Sequence, residues 1–166
     1  MTVPFVPDDF VVPRRIEQAN YILRPLTTDD VENDYAAVMS SRESLRHIFH
    51  ENDAEWPADT MTLQDNYRDL KRHQEDFQQR RGFTYTMETP DGRRCLGCLY
   101  IYPCRRGRYD AQVHYWVRDR EKARGLEEEL GAFLRRWLNE AWPFKSPVFP
   151  GRDLSWEDWN ALQSPS

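Results

Sequence analysis

The chain has 166 residues, of which 39% are hydrophobic, 13% aromatic and 31% charged, with a formal net charge of -5. This is one domain by length, with enough apolar material for a packed core, which excludes a disordered chain. The acidic balance argues against a nucleic-acid partner, and no apolar run is long enough to cross a bilayer.

The start, MTVPFVPDDFVVPRR, lacks a basic stretch followed by an apolar core, so no signal peptide and a cytoplasmic location are expected. Residues 1–20 carry Pro4, Pro7 and Pro13 among apolar side chains and read as an extended arm. Phe5, Phe10, Val11 and Val12 are expected to pin it to the domain or to a second subunit, because such a row is costly in water. Residues 21–166 then read as a single domain. Tyr21–Leu26 is the first strand, with Pro25 marking an edge or a strand end. Thr27 or Thr28 caps a helix carrying Val31, Tyr35 and Val38 on one face. Ser40 with Glu43 reads as a second capping box, so the helix is expected to break at Met39–Ser40 and to resume through Ile48.

His47 and His50 near its end share a face, but no third metal ligand lies nearby, so solvated or capping roles are the simpler reading. A polar loop with Trp56–Pro57 follows. Thr62–Arg81 is a helix with Leu63, Tyr67, Leu70, Gln74 and Phe77 as its stripe, ended by Gly82. Phe83–Thr89 alternates as a half-buried strand should, and Pro90–Arg93 is a tight turn. Arg94–Pro103 is the next strand, with Gly97 a bulge. It holds Cys95 and Cys98 at the spacing of a zinc knuckle. No second pair completes a tetrahedral site, so no metal is expected, and with Cys104 the thiols read as reduced. Arg105, Arg106 and Arg108 make the single basic cluster, which a solvated turn explains.

Tyr109–Val117 is a strand, and Glu121–Ala141 is a long amphipathic helix built on Leu126, Leu130, Phe133, Leu134, Trp137 and Leu138. Pro143 stops it. Phe144–Phe149 is a last strand, parallel to Tyr109–Val117 because a helical crossover joins them. Ser155 caps a short final helix whose Trp156, Trp159 and Leu162 are expected to fold back onto the core. The fold class is α/β in the α+β sense: three layers, with a mixed, mostly antiparallel sheet of about five to six strands and helices on both faces.

Tyr109–Leu138 carries the chemistry. A strand, a charged turn and a helix place the first free N–H groups of the helix over the turn, where phosphates bind. Gln112, His114 and Trp116 share one face of the strand. His114 is the side chain there whose ordinary pKa lies near neutral, which makes it a candidate base as well as an ordinary strand histidine.

The element order, with Tyr21–Asp30, Pro90–Gly97 and Gln112–Val117, resembles the GNAT superfamily of N-acetyltransferases, and Gln112–Val117 resembles its ribosomal-protein alanine acetyltransferase-like branch. The likeness runs from about Tyr21 to Phe149. It implies acetyl-CoA as co-substrate, held in a wedge between the strands Tyr109–Val117 and Phe144–Phe149. The thioester carbonyl would meet a main-chain amide near Trp116–Val117. The pyrophosphate would sit on the following turn, where the family's signature falls on Lys122, Ala123, Arg124, Gly125, Leu126 and Glu127. Gly125 matches, Lys122 stands for Gln or Arg, and Glu127 replaces a small residue. The branch has Glu where this chain has Gln112 and Gly where it has His114, so His114 would act as the base. The family's thiolate donor is a Tyr on a further helix. The residues after Pro150 are too few for that helix and its hairpin, so Tyr115 or Tyr35 would serve, and the arm or a second copy in a homodimer would complete the sheet edge. The acids Glu51, Asp53 and Glu55 would line the acceptor site.

The resulting expectation is an N-acyltransferase acting on a primary amine, of a small molecule or a protein N-terminus. The alternative is a non-catalytic relative with a degraded cofactor site that serves as a binding module.

Overall fold

The computed structural model describes residues 3–50 and 56–162. Six strands form one sheet in chain order: β1 (Ile16–Glu17), β2 (Ile22–Pro25), β3 (Phe83–Glu88), β4 (Cys95–Pro103), β5 (Ala111–Val117) and β6 (Pro147–Val148). All neighbours are antiparallel except β5 and β6, whose parallel pairing follows from the helix between them. The helices are α1 (Val31–Ser40), α2 (Arg42–Leu45), α3 (Leu63–Gln78), α4 (Asp119–Lys122), α5 (Leu126–Glu140) and α6 (Trp156–Ala161). The expected three-layer α/β arrangement is present. Leu130 and Leu134 of α5 pack with Leu23, Tyr85, Leu99 and Val113 on one face of the sheet. Ala37 and Val38 of α1 pack with Cys98, Tyr100 and Trp116 on the other. Strand alternation thus sends Val113, Tyr115 and Val117 toward α5, and Gln112, His114 and Trp116 toward α1 and α3.

Several local expectations change. The long helix Glu121–Ala141 is two helices, α4 and α5, separated at Gly125, whose φ of 77° is left-handed. The break after α1 falls at Ser41, not Ser40. Ser40 Oγ bonds back to the Ala37 carbonyl, and Ser41 Oγ accepts from the Asp119 amide at 2.9 Å, so no capping box forms. In α3 the buried stripe is Asn66, Leu70 and Phe77, while Leu63 and Tyr67 are exposed. Strand β3 is buried on both faces, since α3 packs on the side of Thr84, whose hydroxyl meets His73 at 3.1 Å. Arg80, at φ 59°, rather than Gly82, ends α3: its amide bonds to Phe77 O and that of Arg81 to Asp76 O, closing a left-handed cap.

That arginine also donates to the carbonyls of Pro7 and Phe10 at 2.7 and 3.0 Å. It fixes an arm whose Phe5 stacks on Phe83 and Phe144, whose Phe10 meets Trp142, and whose Val6 is buried. Val11, by contrast, is exposed. The end of the arm is not merely extended: Ile16–Glu17 pair with Ile22–Leu23 as β1. The bulge at Gly97 is present, with Met87 opposite Gly97 and Glu88 opposite Cys95. Trp159 of α6 is buried with Cys104 and Val148, as the folded-back tail requires.

Candidate active site

The parallel pair β5–β6 lasts for two rungs, Ala111–Pro147 and Gln112–Val148. Beyond them Pro150 and Gly151 turn the chain away, so Val113–Val117 of β5 runs on with an unpaired edge toward the exit of β6. Because alternate residues point their N–H and C=O to the same side, Tyr115 and Val117 present theirs to this wedge. Of Trp116 and Val117, it is therefore the Val117 amide that faces the wedge. A cavity of about 220 Å3 lies here, between Trp116, Ile48, Glu127, Arg152 and Trp156.

The wedge is not bare. Arg152 Nη2 donates to the Tyr115 carbonyl at 2.8 Å and to Glu127 Oε1 at 2.8 Å, and its guanidinium lies 3.7 Å from the centre of the Tyr115 ring. Arg135 of α5 holds Asp153 at 2.6 and 2.8 Å and lies over Phe149. Residues 152 and 153 are thus strapped to α5 across the opening. Glu127, the residue that departs from the family signature, is turned into the wedge and neutralised there.

The remaining signature residues have local partners. Lys122 pairs with Asp119 at 3.3 Å, and Arg124 with the buried Glu121 at 3.0 Å. The amides of Arg124 and Gly125 bond to the carbonyls of Glu121 and Lys122. Ala123 follows α4 as its C-terminal cap, and Leu126 is buried at the start of α5. Gly125 has no side chain with which to cap α5, so the first N–H groups of this 15-residue helix face the turn without a side-chain cap.

His114 is buried between two oxygens: Nδ1 faces the Ile48 carbonyl at 3.1 Å and Nε2 faces Gln112 Oε1 at 3.2 Å. Both oxygens accept, since the Gln112 amide nitrogen donates to the Pro103 carbonyl at 3.0 Å, so the single proton of the neutral ring serves one of them. Burial lowers its pKa to about 4, against a smaller opposing effect of the Ile48 bond, so the ring is neutral at pH 7. Tyr115 lies on the α5 face, its Oη accepting from Arg135 at 3.3 Å. Gly131 makes that possible, since a Cβ there would stand 2.4 Å from this hydroxyl. Tyr35, the other phenol considered, donates to the Met61 carbonyl at 2.7 Å. His50 Nε2 meets Asn160 Oδ1 at 3.0 Å.

A second cavity, of about 380 Å3, lies between α1, α3 and β4. Phe49, Trp56, Tyr100 and Tyr102 wall it, and Asp34 and Asp69 supply its acids. Glu51, Asp53 and Glu55, expected in this role, lie outside the described residues. Asp34 and Asp69 were missed because each sits on the inner side of a helix read for its apolar stripe. Burial raises the pKa of Asp34 to about 6 and that of Asp69 above the usual carboxylate range. Ile48 borders the first cavity and Phe49 the second, with the His114 ring 5.1 Å from that of Phe49. Ile48 and Phe49 thus line one space each, as do the hydrogen-bonded Trp116 and Tyr100.

A search of curated proteins returned no match. Among solved structures the chain is similar to RimL, a ribosomal L7/L12 alpha-N-protein acetyltransferase solved with coenzyme A. The identity is 14% and the TM-score 0.57, over 75% of this chain and 67% of that one. The ribosomal-protein-S5-alanine acetyltransferase of Vibrio fischeri gives 14% and 0.58, over 78% and 69%. The microcin C7 self-immunity acetyltransferase MccE, in complex with acetyl-CoA and AMP, gives 12% and 0.58, over 81% and 72%. At such identities the likeness is one of fold, and it includes the branch that Gln112–Val117 resembles. The acetyltransferase (GNAT) domain profile matches residues 20–155, most of the chain, and on that ground the protein belongs to the GNAT acetyltransferase family, a family of transferases.

Proposed function

We propose that the protein transfers an acetyl group from acetyl-CoA to a primary amine by direct attack. The observation that carries this reading is the pair of cavities meeting at Ile48–Phe49, one in the β5–β6 wedge and one between α1, α3 and β4. In this scheme the pantetheine arm runs along the β5 edge and displaces Arg152 from the Tyr115 carbonyl. The pyrophosphate takes the first N–H groups of α5, with Lys122 and Arg124 beside it. The Val117 amide holds the thioester oxygen, where charge develops as the amine adds to the carbonyl carbon.

The amine nitrogen bonds to carbon, the carbon–sulfur bond breaks, and the thiolate leaves. Attack needs an uncharged amine, and the adduct then sheds one proton. His114 takes it at Nε2 once Gln112 turns aside; a neutral imidazole is always ready for that step, although its low pKa makes it a weak base. Tyr115, whose Oη already accepts from Arg135, donates its own proton to the thiolate.

One observation favours the second reading, a binding module without catalysis: Arg152 already occupies the carbonyl and the acid that a cofactor would adjoin. Calorimetry with acetyl-CoA separates the two. Native protein is expected to bind in the micromolar range, and Arg152→Ala/Glu127→Gly to bind more tightly. Absence of binding by both would overturn the acetyltransferase reading.

A further inference from the structure

We propose that the cavity between α1, α3 and β4 is a binding site for one small, singly charged primary amine with an aromatic or aliphatic body, which rests on the acetyltransferase reading for its role as acceptor site. The cavity of about 380 Å3 holds four aromatic rings, those of Phe49, Trp56, Tyr100 and Tyr102, with Leu26 and Leu70 as further apolar lining. Ring faces attract a desolvated cation, and rings with aliphatic side chains shield it from water. At ~30 Å3 per water-sized group, the space suits a ligand of about a dozen non-hydrogen atoms.

The charge balance sets the ligand's charge. Asp34 is 3% exposed, and its hydrogen bonds come from two neutral groups, Asn66 Nδ2 at 3.0 Å and Cys98 Sγ at 3.3 Å. Asp69 has Arg72 at 3.6 Å, with that arginine's side chain 62% exposed. His73, with its pKa lowered to about 4 by burial, is neutral. Among the described lining residues, two carboxylates against one exposed guanidinium leave one negative charge, which a single ammonium offsets.

The polar lining also argues for a small amine over a peptide N-terminus. Asn66 Nδ2 is committed to Asp34 and Val31, and His73 Nδ1 to Thr84 Oγ1 at 3.1 Å. A peptide would bring several amide groups in behind its ammonium, and the lining, mostly rings and leucines, offers them few partners, the Tyr100 hydroxyl already accepting from the Trp116 indole at 3.0 Å.

Calorimetry on the full chain with 2-phenylethylamine, its uncharged counterpart 2-phenylethanol and an alanine-initiated tripeptide amide tests the assignment. The amine is expected to bind at least about tenfold more tightly than the alcohol and than the peptide. Asp69→Asn, at a partly exposed position that folding tolerates, is expected to cut the amine–alcohol ratio to about threefold or less. Equal affinity for amine and alcohol, preference for the peptide, no amine binding at millimolar concentration, or a ratio unmoved by Asp69→Asn would each overturn it. Acetyl-CoA titrated into the same preparation keeps the two readings apart. Amine binding without acetyl-CoA binding removes the transferase reading and keeps the pocket. Acetyl-CoA binding without amine binding does the reverse.

Discussion

The two cavities share the wall Ile48–Phe49 but treat charge in opposite ways. In the wedge every charge meets its opposite within the chain: Glu127 with Arg152, Asp153 with Arg135, Lys122 with Asp119. Between α1, α3 and β4, Asp34 is buried with neutral partners alone. The wedge is therefore stable as it stands, and a ligand there has to break ion pairs. The other cavity carries an electrostatic cost that a cationic ligand would relieve.

The largest test of this contrast is the pH dependence of stability, because the shifted groups cluster in and around the second cavity. His73 and His114 have pKa values near 4 against an ordinary 6.5, chiefly because burial disfavours the imidazolium. The unfolded chain therefore binds protons first, and stability present above pH 6.5 is lost as pH falls toward 4. At about 1.36 kcal/mol per pH unit, each histidine removes up to about 3 kcal/mol. Asp34 acts the other way. Its carboxyl sits at about 6 against 3.8, so the folded chain holds that proton more tightly, and stability falls by about 3 kcal/mol as pH rises across that interval. Two groups outweigh one: Tm is expected to drop from pH 7 to pH 4, and Asp34→Asn to steepen the drop. A flat Tm profile, or a shallower one in Asp34→Asn, would contradict this assignment.

A smaller effect probes the packing that closes the wedge. Gly131→Ala would place a Cβ 2.4 Å from Tyr115 Oη and 2.8 Å from Arg135 Nη1. Arg135 is flexible enough to give way, but Tyr115 is sandwiched between α5 and the Arg152 guanidinium. Overpacking of this kind costs about 1–3 kcal/mol, offset in part by the helix preference for Ala over Gly, which is about 1 kcal/mol. Urea unfolding should show a net loss of up to about 2 kcal/mol.

The sequence revealed the sheet order and the α5 packing because both rest on periodic burial: Leu126, Leu130, Leu134 and Leu138 need nothing beyond a 3.6-residue repeat. It also located the turn where β5 meets α5 and singled out Glu127. What it did not contain was the partner. Arg152 stands 25 residues away from Glu127, in a tail read as a loop and a folded-back helix, and no local pattern links the two. Asp34 and Asp69 escaped for the opposite reason. Helices near acidic surfaces are full of carboxylates, and only the packing of α1 against α3 and β4 shows which of them turn inward. The split between α4 and α5 was hidden because Asp119–Lys122 and Leu126–Glu140 both have helical composition, and a single left-handed residue between them has no periodic signature.

The smallest expected change in stability carries the most direct test of the wedge. The side chains of Arg152 and Glu127 are 27% and 22% exposed, a partly hydrated pair of the kind worth under about 1 kcal/mol. In Glu127→Gln the amide oxygen still accepts from Arg152, and the guanidinium keeps the Tyr115 carbonyl and ring. Stability should thus move by less than about 1 kcal/mol in urea. What the substitution removes is the charge that anchors Arg152 across the opening and repels a pyrophosphate at the start of α5. Acetyl-CoA affinity is then expected to rise about threefold at low salt, a gain that shrinks at high salt as screening weakens both effects. A fall in affinity would mean that the ion pair shapes the cofactor channel, and that Arg152 reaches acetyl-CoA from its place beside Glu127.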